Sequence, residues 1–591
     1  MKSNGGQEMR ECDLIMKGGI TSGVVYPVAI EVLATKYRLR SIGGSSAGAI
    51  AATIAAAAEY RRQSDQAGDP DAGFQRVGAL ANELGDVTGK VFQPYPALAD
   101  LYAILIAAVS DGGGLGSILK TILKVYKTIT IATLLAVVVS ILLGAAAGSF
   151  WLGVLGVVLS LLGGAVAIAA VLAKRVFRDL PQHDFGLCPG LTVPGNEGDG
   201  LTNWIMDRID EVAGRPLDGN PLLISDLEDC GIELAAMTTD LSSQRPYQLP
   251  LRSSHHFFSR AEFEKLFPKR MVDYLCGDRT PGSSGLPDGP NDLYPLPESG
   301  EFPVALCARM SLSFPGLISA VPLWRRDFNL KNADGGAGVW RRCLFSDGGI
   351  SSNFPVLFFD QLLPSRPTFG ISLGSWEEER HGEERVFLSK KHIQSTNLPA
   401  RPVKGVLGFV FSILNTSKDW QDTLQSMLPG YAERIVEIRL DDANEGGMNL
   451  AMSPQTIQKL TEFGREAGQK LIDEFDFDEN RWRRGLSALS EVEGALQSFH
   501  NAYVQTPPGM GDDGRTYGQI LTEHDPSLMK DNSQTWRQDV LDGLAGRLAK
   551  IGEDANEAAE EEGVRTVREG NVPKQDASLK ILANADRRVS E

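Results

Sequence analysis

LRSIGGSSAGAIAATIAAAAEY, residues 39–60, decides how this chain is read. Residues 39–43 form a short strand, and Gly-Gly-Ser-Ser-Ala-Gly follows at once. From Ala47 to Tyr60 the chain is rich in alanine and isoleucine and reads as a helix. Between them, Gly44-Ser45-Ser46-Ala47-Gly48 matches the pattern of a nucleophile elbow. The glycines are there for a steric reason. The serine sits on a sharp strand-to-helix turn with its hydroxyl clear of the backbone, and neighbouring chain passes where a Cβ would clash. The helix N-terminus beneath aims N–H groups at developing negative charge. A structural turn or a phosphate-binding loop uses the same residue types. The context favours the elbow: Arg40-Ser41-Ile42 is strand-like before it, and an alanine-rich helix follows.

Working outward, residues 13–16 read as a short buried strand and residues 24–35 as a helix, so strand, turn and helix alternate as in an α/β sheet. Between them lies Lys17-Gly18-Gly19-Ile20-Thr21-Ser22-Gly23. Backbone N–H groups in such a turn can form an oxyanion hole. A dinucleotide loop would need Gly-x-Gly-x-x-Gly, and Ile20 breaks that spacing. Far downstream, a strand at Leu344–Ser346 ends in Asp347-Gly348-Gly349. An aspartate there can take a serine proton and later activate water, although Asp-Gly by itself is most often only a turn.

Residues 128–173 contain no charged residue. A membrane-spanning helix needs about 20 apolar residues, so this run accommodates two, with Gly148-Ser149 as the turn. Lys120, Lys124 and Lys127 precede it, and Lys174, Arg175 and Arg178 follow. A hairpin puts both basic flanks on one side of a bilayer, in accord with the positive-inside rule. Gly144 and Gly148 form a small-x-x-x-small pair that would let the helices pack closely. The alternative is a helical pair buried in a large soluble assembly.

The 591 residues suggest two to four domains, or one large domain with insertions. A net charge of -17 argues against nucleic acid as the main partner, without excluding membranes. Six scattered cysteines without a C-x-x-C pair suggest neither a zinc site nor a disulfide framework, and fit a reducing intracellular setting. Met1–Cys12 is polar and lacks a secretory leader, so the N-terminus is expected in the cytoplasm. Helical periodicity at 97–127 is broken by Gly112-Gly113-Gly114. A helix is expected at 199–214, strands at Ile232–Thr238, Thr368–Leu373 and 434–440, and a surface loop at 277–300. Helices follow at about 454–475 and 480–504, and from about 549 an exposed helix or disordered acidic tail.

A glycine turn after the first strand, a serine elbow soon after, and a distant Asp-Gly-Gly resemble the patatin-like phospholipases, from about Asp13 to Ser375. Phe185–Gly190 with Leu201–Ile205, Ala235–Leu241, and Ala308–Gly316 resemble further elements of that family. The resemblance implies a three-layer α/β fold with a central, mostly parallel sheet and a Ser–Asp dyad. It places the nucleophile on Ser46, the base on Asp347, the elbow glycines at Gly44 and Gly48, and the oxyanion hole on the backbone of Gly18, Gly19 and Ala47. No cofactor or metal is implied. Two positions depart from the pattern: Ile20 stands where a glycine is usual, and Ser22 where an arginine is usual. Of the seven histidines, only His381, His392, His500 and His524 follow Asp347, as Ser-Asp-His order requires, and none has a supporting motif.

The expected organisation is a catalytic core at 1–127 and 174–376, an inserted transmembrane hairpin at 128–173, packing strand and helices at 377–510, and a tail at 511–591. The expected function is serine acyl hydrolysis of membrane glycerophospholipids, as a phospholipase A or lysophospholipase. The partners are the phospholipid substrate and the bilayer; a homo-oligomer is left open. The catalytic domain would be cytoplasmic. The alternatives are a membrane-bound scaffold with an inactive lipase domain, motivated by Ile20 and Ser22, and a ligand-gated membrane-damaging effector regulated by the region beyond 377.

Overall fold

A computed structural model describes residues 9–19, 22–64, 69–109, 115–252, 255–285, 289–331, 337–389, 430–441, 444–446, 452–509, 514–523 and 538–560, with scattered positions between 403 and 426. Among these, Ile20, Gly112-Gly113-Gly114 and the end of the acidic tail are not included.

One large sheet organises the molecule. Its strands are β1 (Arg10–Met16), β2 (Tyr37–Ser45), β4 (Glu233–Asp240), β5 (Arg245–Leu249), β6 (His256–Ser259), β7 (Leu293–Pro295), β9 (Val321–Lys331), β10 (Ala337–Asp347), β11 (Thr368–Ser375), β12 (Val386–Leu388) and β13 (Ile435–Leu440). Two short strands, β3 (Gly186–Cys188) and β8 (Gly316–Ile318), pair separately. The order is β12-β13-β11-β1-β2-β4-β10-β9-β6-β7, with β5 also on β4. The centre, β13 to β4, is parallel. Both flanks are antiparallel. The central strands are buried on both faces, as parallel sheets require.

The register explains why the site forms where it does. Met16 pairs with Gly44, Ser45 with Met237, and Thr238 with Asp347. The glycine turn after β1, the elbow after β2 and the carboxylate ending β10 therefore lie at one level, with β10 two strand steps, roughly 10 Å, from β2. Side chains turned towards each other over β4 bridge that gap.

Helix α1 (Tyr26–Ala34) links β1 to β2, and α2 (Ala47–Gln63) leaves the elbow. Residues 47–59 of α2 are buried apart from Ile50, because alanines let it lie close to the sheet and to neighbouring helices. The helix Pro454–Asp473 approaches α1 through Gly464 and Gly468. A Cβ at Gly464 would lie 2.1 Å from the Val25 carbonyl oxygen, so only glycine permits this approach. Strands β5, β6, β7 and β9 have no counterpart in the sequence reading. They are short or strongly charged, and β7 falls inside the expected loop at 277–300. The C-terminal helix begins at Gln538, earlier than its charge pattern indicates.

Helix α3 (Ala72–Val91) leads to α4 (Ala99–Val109) and α5 (Leu115–Val125). The charge-free run then forms α6 (Lys127–Ala146) and α7 (Phe150–Lys174), both long and apolar enough to cross a membrane. Their large side chains face outward: Phe150 and Trp151 are each 77% exposed. Their small ones face each other. Gly144 abuts Gly153, Ser140 abuts Gly156, and Thr133 abuts Gly164. Of the expected small-x-x-x-small pair, Gly144 lies in the seam and Gly148 does not. Gly148 faces open space at φ 63° and makes the turn, because the chain reverses before a second residue on that ridge reaches a partner. At the base, Asp100 of α4 accepts from Tyr126 Oη at 2.9 Å and from Arg175 Nε at 3.0 Å. This pins the hairpin to the core.

A Cβ at Gly48 would lie 2.2 Å from the Met16 carbonyl oxygen, a backbone atom that cannot move aside. Gly48→Ala is therefore expected to destabilise the fold by about 1–3 kcal/mol, read as a lower unfolding midpoint than wild type.

Candidate active site

Ser46 caps α2 at φ 54° and ψ -125°, a conformation that L-residues rarely adopt. Such strain costs on the order of 1–3 kcal/mol and persists only when the surroundings over-determine it. Here the Ser46 N–H donates to Ser311 Oγ at 3.0 Å, and the Ser46 carbonyl accepts from the Ala49 N–H at 2.9 Å. Gly44 and Gly48 press against each other where side chains would not fit. The hydroxyl is aimed outward, and Ser46 Oγ donates to Asp347 Oδ2 at 2.9 Å. The two residues are 301 positions apart in sequence and only 4% and 3% exposed.

Asp347 is held from several sides. Its Oδ1 accepts the Gly349 N–H at 2.8 Å, its own N–H donates to the Ser313 carbonyl at 3.1 Å, and its carbonyl accepts Thr239 Oγ1 at 3.0 Å. One carboxylate oxygen thus faces the backbone turn and the other faces Ser46. A Cβ at Gly348 would meet the Met237 carbonyl at 2.1 Å, so the turn is built for glycine.

The glycine turn after β1 sits against the serine: a Cβ on Gly18 would lie 3.1 Å from Ser46 Cβ. The Gly18 N–H, one of the expected oxyanion donors, instead donates to the Asn353 carbonyl at 2.8 Å. Asn353 Nδ2 returns a bond to the Gly18 carbonyl at 3.3 Å. Of the expected donors, Gly19 and Ala47 are not engaged in this way among the described residues. Ala47 is the first residue of α2, so its N–H has no carbonyl within the helix. Ser22 opens a single 3-10 turn, Ser22–Val25.

Sequence reasoning missed Ser311, Ser313 and Arg309 as supports. Arg309 is fully buried and donates to the Pro189 and Ser319 carbonyls at 3.1 and 2.9 Å and to Ser313 Oγ at 2.6 Å. Burial pushes its guanidinium down to about 10. Arg309 fastens the strand pair β3–β8 to the serine-rich segment that supports Ser46 and Asp347. Its position beside two serines and ahead of a proline was the available clue.

Four of the described histidines pack or bond elsewhere, and the fifth, His255, is exposed. His183 bonds the Asp179 carbonyl, His381 Nδ1 accepts the Glu377 N–H, and His500 bonds the Ala549 carbonyl. His256 is sealed between Tyr247 and Phe345. His392 and His524 lie outside the described residues.

Next to the serine, a cavity of about 90 Å³ runs between α1, α2 and α3. Gly23, Ala47 and Leu312 line it beside the elbow, and Ile54, Leu80 and Trp204 are among its other walls. Its surface is mostly apolar, a lining that suits hydrocarbon better than water.

No protein-family model matches the chain. Over 553 residues it is 34% identical to the "RpoH suppressor" of Rhizobium meliloti (strain 1021), an alignment spanning 81% of this chain and 85% of the relative. The chain belongs to the family of that protein. The crystal structure of VipD from Legionella pneumophila aligns with 95% of this chain and 89% of its own at 14% identity, with a TM-score of 0.24, too low to establish a shared fold.

Burial pushes His256 from 6.5 down to about 4; Asp240 opposes the shift, while Arg325, His255 and Arg245 reinforce it. The folded value lies below the unfolded one, so the unfolded chain binds the extra proton between those pH values, and stability falls as pH drops through that window. His256→Phe is expected to remove about 3 kcal/mol of this acid-side loss. Denaturation midpoints of both proteins, measured from pH 7 to pH 4, check it.

Proposed function

We propose that this member of the RpoH-suppressor family is a membrane-anchored serine acyl hydrolase of the patatin-like type, acting on fatty acyl esters of glycerophospholipids. The observation that carries the reading is the 2.9 Å hydrogen bond from Ser46 Oγ to Asp347 Oδ2 at a strained strand-to-helix elbow. Strain of that kind, at a hydroxyl paired with a carboxylate, is the arrangement a nucleophile needs.

Asp347 takes the Ser46 proton as Oγ attacks the ester carbonyl. The Gly19 and Ala47 N–H groups face the resulting oxyanion. Collapse of the tetrahedral intermediate breaks the ester C–O bond, and the leaving alcohol recovers the proton from Asp347. Water, deprotonated by Asp347, then attacks the acyl-serine, releasing the fatty acid and restoring Ser46. The apolar cavity beside Ala47 supports an acyl chain as the part of the substrate held nearest the serine. An aspartate can serve without histidine because it is desolvated and accepts directly from the hydroxyl.

The hairpin supports placement on the substrate surface. Its outward face is apolar, the Thr133, Ser140 and Ser160 hydroxyls bond carbonyls of their own helices, and basic residues flank both ends. By the positive-inside rule the catalytic domain faces the cytoplasm. Tethering raises the effective concentration of lipid at the serine.

Ser46→Ala is expected to lower acyl-ester hydrolysis by at least about 10³-fold and to abolish labelling by a fluorophosphonate. Hydrolysis that persists in the variant rejects the assignment. A native protein that the probe leaves unlabelled supports a scaffold instead. For the anchor, the full chain is expected to stay in the membrane pellet after alkaline carbonate extraction, whereas a chain with residues 128–173 replaced by a short polar linker is expected to enter the supernatant.

A further inference from the structure

Asp422 stands 70 positions beyond Ser352, outside the strands that carry the serine and the aspartate. Its carboxylate collects three donors from three successive residues. Oδ2 accepts the Asn353 N–H at 2.6 Å and the Phe354 N–H at 2.8 Å, and Oδ1 accepts Ser352 Oγ at 2.9 Å. These residues follow Asp347 after one 3-10 turn, Gly348–Ile350. Asn353 continues the chain of contacts, because it grips both the N–H and the carbonyl of Gly18. Gly18 backs Ser46, while Gly349, at the other end of the same turn, holds Asp347 Oδ1.

We propose that Asp422 is a positioning residue for the acyl-transfer site, a clamp that locks the turn joining the base to the glycine loop. The inference rests on the acyl hydrolase reading above. Charge-assisted bonds to consecutive backbone N–H groups fix a turn more firmly than water does, since water can leave. Asp422 acts through Ser352, Asn353 and Phe354 rather than on Ser46 itself. Asp422, beyond residue 377, thereby helps assemble the catalytic geometry.

The test uses full-length protein in detergent micelles: wild type, Ser46→Ala, Asp422→Ala and Asp422→Asn. It measures hydrolysis of a chromogenic acyl ester and the rate of fluorophosphonate labelling. Asp422→Ala is expected to lower kcat and labelling together, by about 10- to 100-fold. KM should stay within about twofold, because the apolar cavity shares no residue with the clamp. Asparagine can keep the geometry: its amide oxygen accepts the two N–H groups, and its NH₂ donates to Ser352 Oγ, which can act as an acceptor. Asp422→Asn should therefore recover kcat to within about threefold of wild type.

Wild-type kcat in a folded Asp422→Ala, or Asp422→Asn as poor as alanine, overturns the clamp. If the alanine variant does not fold, Asp422→Glu carries the test. It keeps the charge but pushes the turn away by one methylene, and an unchanged kcat there also overturns the proposal. A wild type that the probe does not label rejects the hydrolase reading, and the clamp with it, whereas normal labelling with normal Asp422 variants rejects the clamp alone.

Discussion

Holding Ser46 at a positive φ is the constraint on which the rest of this structure turns. The strain is local, but its support comes from everywhere. Met16 lies so close to Gly48 that no side chain fits between them, and Gly44 and Gly48 touch each other. The Ser46 N–H reaches across to Ser311, on a helix that enters from far down the chain. A serine released from these contacts would relax to an ordinary helix-cap conformation and turn its hydroxyl elsewhere. Close packing around glycine is therefore part of the chemistry, because it is what keeps the hydroxyl facing the carboxylate.

The carboxylate is delivered by a change in strand direction. The parallel centre of the sheet brings β1, β2 and β4 to the same level, and β10 then runs antiparallel beside β4. Its C-terminal end therefore reaches the elbow. Four separated segments meet there: the glycine turn after β1, the elbow, the serine-rich segment behind Arg309, and the Gly348–Phe354 turn. Hydrogen bonds from the elbow and from its own turn orient both oxygens of Asp347. A buried carboxylate with both oxygens oriented is costly to form, and that cost is offset by the bonds it accepts from Ser46 and Gly349.

The hairpin follows a different rule. Inside the core, large apolar side chains interlock and small residues serve close approach. In α6 and α7 the large side chains point away from the partner helix, and the small ones form the seam. Ser140 and Ser160 meet across that seam, and each also donates to a carbonyl within its own helix. A seam of this kind is what a hydrocarbon solvent would favour, where burying apolar surface between helices gains little and close backbone packing holds a pair together. The Asp100–Arg175–Asp179 cluster then fixes where this seam joins the polar part of the molecule.

The elbow and the hairpin, which depend on neighbours along the chain, were legible without coordinates, whereas the helix Ala72–Val91 was not read. The elbow could be read because glycine, serine and alanine at that spacing answer to local sterics, and the hairpin because an uninterrupted apolar run needs no partner to be recognised. The ends of β2, α2 and α7 fall within a few residues of their expected positions for the same reason. Folding had to supply the contacts between distant residues. Asp422 is a common residue type with no pattern around it, and the serine-rich segment around Ser311 shows no partner, so their hydrogen bonds exist only after separate segments meet. The engagement of the Gly18 N–H by Asn353 and the contact of Gly144 with Gly153 are of this kind too. Sequence by itself determined which residues could bear strain, charge or hydrocarbon; the tertiary structure alone decided which of them would touch, because a hydrogen bond requires a distance that no local spacing encodes.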